Sequence, residues 1–263
     1  MPINVHNCLT QPTRAVLGNF GAAIPQVAGA NADHRVVATG TARVSLHPTV
    51  NPVTGVTALA PQTDVNGDTF FLPYEWNKIY SMQLPTPAAA TLAGTTSFLT
   101  IDLSGCKFYV DPLAGGAGAV VVHHANNVSN PPPAGTLPSV ETLACTNFLD
   151  NLHHAARAWY QAPPQNLNLP LAQAVSVGKP VYNVPADGEV QRKQGQHRAN
   201  VNFSGGTMVF GVVNGNKWDF YWETWGGADY DRPLYAPKAW KSGIHHTASA
   251  GQNFRVLGTG HFF

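Results

Sequence analysis

Through the middle of the chain, apolar residues recur at every second position in short runs cut by turn residues. That is the period of a half-buried strand, not of a helix. In VVATGTARVSLHP the alternation passes through Ala42, Val44 and Leu46, predicting a strand from residue 36 to a turn marked by Pro48, Asn51 and Pro52. VTGVTALAP and DTFFLPYEW predict two more strands, with Asn66-Gly67-Asp68 between them as turn chemistry. NKIYSMQLPT leads into a low-complexity connection, PTPAAATLAG, before the apolar run TTSFLTIDL. CKFYV and AVVVHH then predict an antiparallel hairpin across the loop DPLAGGAG.

After this hairpin the three prolines of NNVSNPPPAGTLP enforce a loop. The period changes once. SVETLACTNFLDNLHHAARAWYQ carries Leu143, Phe148, Leu149, Leu152 and Ala156 on a helical stripe, with Ser139 as N-cap and Pro163–Pro164 as the stop. QHRANVNFSGGTMVFGVVNGNKWDFYWETW predicts a second hairpin turning at VNGN. Residues 1–35 carry little periodicity and predict an irregular N-terminal arm. Residues 36–240 are expected to form one β-rich domain with a single main helix, and 241–263 a C-terminal tail packed on or extending it. The fold class expected is α+β, mainly β, in a single domain.

Composition narrows the function. Charged residues are 11% of the 263 and the formal net charge is +1. No polyanion-binding surface is implied, and nucleic acid is not expected as a partner. No basic-then-apolar leader and no apolar stretch long enough to span a bilayer are found. The cysteines, Cys8, Cys106 and Cys145, are odd in number and lack disulfide or zinc-finger spacing.

Cys106 ends an apolar strand behind Ser104-Gly105, and the next hairpin strand ends in His123-His124. Pairing Val110 with Ala119 sets His123 opposite Cys106, while a one-residue slip would bring His124 there instead. A neighbouring imidazole can take the thiol proton and stabilise the thiolate. Amide N–H groups at the Ser104–Gly105 turn could hold an oxyanion. Thr100 shares the strand face of Cys106 and could orient the base by its hydroxyl or its carbonyl, with Asp102 as a competitor. From spacing alone, a structural buried cysteine competes strongly with this reading.

LSGCK at 103–107, Thr100 six residues before the cysteine, and the Gly118-to-His123 approach resemble a known active site. They are similar to the cysteine–histidine glutamine deamidase toxins of the cytotoxic necrotizing factor and Burkholderia lethal factor type. SLHP at 45–48, FLPYEW at 71–76 and the late hairpin extend the likeness over roughly 36–240. An extra N-terminal arm, a longer Cys-to-His loop and a further C-terminal tail depart from the pattern. The resemblance implies a catalytic set of Cys106, His123 and Thr100, with His124 as the alternative base and backbone at Ser104 and Gly105 for the oxyanion. It implies a deamidase-like catalytic domain over 36–240, built as a single-domain β-sandwich of mixed sheets with peripheral helices and long loops, and no metal or organic cofactor. It further implies a monomeric toxin or effector, exported from a bacterial cytoplasm without a classical signal peptide. Its substrate would be a glutamine of a host cytosolic protein, a small GTPase or translation factor, with transglutamination as a possible side activity.

Other readings stay open. A cysteine protease would share the dyad. WDFYWETW (218–225) could serve a non-enzymatic carbohydrate- or protein-binding module, although an aromatic strip of this kind is more often half of a sandwich core. The histidine pairs at 123–124, 153–154 and 245–246 lack metal-binding spacing, and His153 and His154 are expected to be solvent-facing or half-buried on the helix.

Overall fold

A computed structural model describes residues 2–15, 24–52, 55–103, 105–127, 138–178, 201–230 and 252–263. Side chains at 101–102, 138–144, 201–205, 227–230 and 252–255 lie outside that description. The proline loop, His245–His246 and Ser104 therefore fall outside the described residues, as do the side chains of Asp102 and Ser139.

The chain forms two mixed sheets facing each other, mainly β with few helices. The described elements are α1 (Val5–Thr10), β1 (Thr13–Ala15), β2 (Gln26–Ala28), β3 (His34–Val37), β4 (Arg43–Val50), β5 (Thr57–Thr63), β6 (Thr69–Leu72), β7 (Ile79–Leu84), α2 (Pro87–Leu92), β8 (Ser97–Leu103), β9 (Lys107–Pro112), β10 (Val120–Ala125), α3 (Pro138–Gln161), β11 (Val175–Gly178), β12 (Val201–Asn214), β13 (Lys217–Tyr230) and β14 (Gln252–His261). One sheet has eight strands in the order β1-β5-β4-β6-β8-β12-β13-β14, and the other six in the order β11-β9-β10-β7-β3-β2.

Aromatic rings from both sheets fill the space between them. Phe98 of β8 lies 5.6 Å from Phe108 of β9 and 5.6 Å from Phe220 of β13, all fully buried. The Trp-rich strand belongs largely to this core: Trp218 and Phe220 have no exposure, and Trp218 Nε1 donates to the Pro85 carbonyl at 3.0 Å.

The six-stranded sheet is covered on its outer face as well. Leu149, Leu152 and Ala156 of α3 pack on Ile79, Tyr109 and Ala125. Burial on both faces explains why β10 reads as an unbroken apolar run and not as an alternation.

Several expectations are corrected. The described parts of residues 1–35 are not an irregular arm: α1 buries Cys8 in the core, β1 pairs in parallel with β5, and β2 and β3 form one side of the smaller sheet. These elements escape periodicity because each spans only three to six residues. Strand β4 does not stop at Pro48. It pairs with β6 only at Arg43 and Val44, so beyond them one side of β4 carries no ladder bond that proline would break. PTPAAATLAG holds α2, capped by the Thr86 hydroxyl accepting from the Ala89 N–H, with Pro87 in its first turn. The last residues extend the large sheet as β14 on β13.

The decisive correction concerns the β9–β10 hairpin. Val122 pairs with Val110, His123 with Tyr109 and His124 with Phe108. This register is displaced by three residues from the expected one. An odd displacement exchanges faces, so every β10 side chain expected beside Cys106 points away from it. Asp111 and Pro112 stay in the strand, and the turn lies at 113–119. Leu113 N–H and Ala119 N–H close that turn with bonds of 3.1 and 2.9 Å. Gly118 there has φ +84, and a Cβ on it would meet the Asn216 carbonyl at 2.4 Å, so only glycine fits against the β12–β13 turn.

Candidate functional site

The chain leaves the large sheet at the end of β8 and enters the small one at β9, and Cys106 sits at this crossing with 2% exposure. Its face follows from its neighbours. Lys107 and Tyr109 point outward, where both bond Asp150 of α3 at 2.7 Å, while Phe108 points into the core. Cys106 shares the inward face of Phe108 and belongs to the same apolar cluster. Lys107, though adjacent, is turned away from the thiol.

On β10, His124 points inward and His123 outward. His124 Nδ1 lies 2.7 Å from Thr100 Oγ1, and the same hydroxyl lies 2.8 Å from the Leu72 carbonyl of β6. A hydroxyl has one proton, and a carbonyl can only accept. Thr100 therefore donates to Leu72 and accepts from His124 Nδ1–H. Assigned from this network, the neutral ring keeps its lone pair on Nε2. That atom is buried without a hydrogen-bond partner among the described residues. Complete burial lowers the His124 pKa to about 3, so the ring is neutral at ordinary pH. The Tyr74 ring stacks on His124 with centroids 5.5 Å apart, and Trp76, more than half exposed, meets Tyr74 edge-on. The FLPYEW segment thus builds an aromatic wall from the surface to the imidazole.

Thr100 meets His124, and does so through its hydroxyl and not its carbonyl. Gly105 has no left-handed φ, and a Cβ there would meet no described atom within 4 Å. The fold does not demand glycine at this position, which leaves open space beside the cysteine.

His123 does not meet Cys106. It lies under α3 in a different network. Ala30 N–H donates to His34 Nδ1 at 2.9 Å, so His34 Nε2–H donates to Ser81 Oγ at 2.7 Å. Ser81 Oγ also lies 2.9 Å from His123 Nδ1. On the other side of the ring, His123 Nε2 lies 3.1 Å from Asp111 Oδ2. His153 Nε2 lies 2.7 Å from the same oxygen, and Arg157 Nη1 bonds Oδ1 at 2.7 Å.

Asp111, His123 and His153 are close enough together to suggest a metal centre. Contacts within the protein already account for the clustering: Asp111 Oδ1 accepts from Arg157, which neutralises the carboxylate, and Oδ2 lies against His153. The cluster fastens α3 to the sheet. His153 is buried here instead of solvent-facing, while His154 is exposed. Burial lowers His34 to about 3 and His153 to about 4; burial pushes Asp111 up, but His123 and His153 outweigh it and hold the carboxyl well below its usual range. Sequence reasoning missed Asp111 and Arg157. The available signal was polar residues at 153 and 157 on the same helical stripe as Leu149, Leu152, Ala156 and Tyr160.

Comparisons with protein-family models, curated proteins and solved structures find no match to this chain. Among the described residues, no helix is long and apolar enough to cross a membrane.

Proposed function

We propose that the protein is a cysteine-dependent deamidase that converts a glutamine side chain of another protein to glutamate, with Cys106 as nucleophile, His124 as base and the Thr100 hydroxyl orienting the ring. The observation that carries the reading is the Leu72–Thr100–His124 hydrogen-bond chain. It leaves a buried Nε2 lone pair on the sheet face that also carries Cys106. A nucleophile, a base and a group orienting the base is the arrangement such chemistry requires.

The Cys106 thiol gives its proton to His124 Nε2 as sulfur attacks the glutamine carboxamide carbon. The tetrahedral intermediate collapses, the C–N bond breaks, and ammonia leaves with the proton held on Nε2. Water, deprotonated by the same nitrogen, attacks the thioester; the C–S bond breaks and the thiol is restored. Glutamine and water give glutamate and ammonia, with no cofactor. An amine in place of water would give transglutamination. Both groups are buried, so turnover requires an opening motion that admits the substrate. The LSGCK resemblance supports an effector acting as a monomer on a host cytosolic protein, a small GTPase or translation factor.

The test compares wild type with Cys106→Ser in a eukaryotic lysate and searches peptides for Gln-to-Glu conversion. Conversion only with wild type supports the reading. Identical samples would sink it, and new peptide termini would instead indicate a protease. If Cys106 also reacts with iodoacetamide no faster than Cys8, a non-enzymatic binding module replaces it.

A further inference from the structure

Two positions beyond His124, just past the end of β10, is a side chain that the reaction above does not use. Asn126 is 1% exposed, and neither its Oδ1 nor its Nδ2 has a hydrogen-bond partner among the described residues. Its orientation is fixed by its neighbours. Asn126 N–H bonds the Lys78 carbonyl at 2.9 Å, extending the β10–β7 ladder by one residue. Ala125 packs under α3, and Asn127 Nδ2 reaches Cys145 of α3 at 3.4 Å. Asn126 between them therefore faces inward, as His124 does. The last β9–β10 pair is Lys107 with Ala125, so the next position sets Asn126 opposite Cys106. Directly opposed residues have Cβ atoms about 4.5–5.5 Å apart.

A buried amide with both ends unsatisfied is costly, and folded proteins rarely keep one without a use. A primary amide has one partner that satisfies both ends at once: another primary amide. Its N–H meets Oδ1 while its C=O accepts from Nδ2–H. We infer that Asn126 is the carboxamide-reading residue of the site, pairing with the glutamine side chain as Cys106 attacks it. This rests on the deamidase reading and deepens it. Nδ2–H would follow the carbonyl oxygen as it gains negative charge, and Oδ1 would hold the amide nitrogen until it leaves as ammonia. The product supplies no N–H for Oδ1, and its carboxylate is repelled by that oxygen, which favours release of glutamate.

Iodoacetamide and iodoacetate test this without knowledge of the natural substrate. They alkylate the same thiol and differ only as carboxamide against carboxylate. The alkylation rate of Cys106 by each reagent is measured by peptide mass spectrometry and normalised to glutathione in the same tube. Wild type should favour the carboxamide over the carboxylate roughly tenfold more than glutathione does, the worth of about one buried hydrogen bond. Asn126→Leu, of similar shape, should abolish that preference while Cys106 still reacts faster than Cys8. Asn126→Ala should give the same loss if the leucine variant does not fold. An unchanged preference in the folded variant, or none in wild type, overturns the role of Asn126 and leaves the deamidase reading standing. Cys106 labelling no faster than Cys8 with both reagents overturns the deamidase reading itself, and the Asn126 proposal with it.

Discussion

Lowering the pH should destabilise this fold well before its carboxylates titrate. His34, His124 and His153 are buried as neutral rings, with pKa values lowered to about 3, 3 and 4, chiefly by burial. In the unfolded chain each returns to about 6.5. A group whose folded pKa is depressed is more protonated in the unfolded state below that unfolded value, so its contribution to stability falls as pH drops. Between about pH 7.5 and pH 5 the unfolded state gains about 2 kcal/mol from each ring while the folded rings stay neutral, about 6 kcal/mol in all. That is a large part of the 5–15 kcal/mol typical of a folded domain. Asp111 does not confound this window: its folded pKa is also depressed, but its contribution is lost only as pH falls below the ordinary carboxylate value near 4. Urea unfolding followed by tryptophan fluorescence at the two pH values measures the difference. His34→Gln should reduce the pH dependence by about 2 kcal/mol relative to wild type, whatever it does to stability at neutral pH. A wild-type difference below about 2 kcal/mol would mean that these rings accept protons in the folded state, and the tautomer assignments would be wrong.

Other outcomes are expected from the same geometry. Thr100→Val should leave the chain folded, at a cost of about 1–3 kcal/mol, while slowing Cys106 alkylation by His124-dependent chemistry roughly a hundredfold; Thr100→Ser should restore most of the rate. Asp111→Ala leaves the Arg157 charge buried without its carboxylate and should cost about 3–5 kcal/mol in urea unfolding; in the fraction that remains folded, Cys106 reactivity should be unaltered. Gly118→Ala must displace the Asn216 carbonyl at a left-handed φ and should lower stability by at least about 1–3 kcal/mol, whereas Gly105→Ala should be near neutral in the same assay.

The long helix was legible because its stripe and proline stop are local signals, and β4 and β5 because alternating apolar residues report a sheet face directly. The run read as one strand from residue 36 divides between β3 of the small sheet and β4 of the large one, and β7, β9 and β10 are buried on both faces and show no alternation. The site was only half legible. Cys106 and Thr100 were singled out in sequence as sharing one strand face, but Thr100 lies on β8 of the large sheet and Cys106 just before β9 of the small one, so strand parity does not relate them. The choice between His123 and His124 depends on the hairpin register, set by non-local contacts: Asp111 is held in its strand by His153 and Arg157, 42 and 46 residues away. No pattern within the hairpin records those partners. The same holds for Asn126, an ordinary loop-favouring residue in sequence, which acquires meaning only when both ends of its amide are found buried and unmatched.

Cys106 is proposed to work with His124, on the inward face of the small sheet, and not with His123 under α3. That pairing is tested most directly by comparing wild type, Cys106→Ser, His124→Ala and His123→Gln, each confirmed folded, for Gln-to-Glu conversion in one eukaryotic lysate. The account predicts conversion by wild type and His123→Gln, and none by Cys106→Ser or His124→Ala. Conversion that survives His124→Ala but disappears in folded His123→Gln would contradict it.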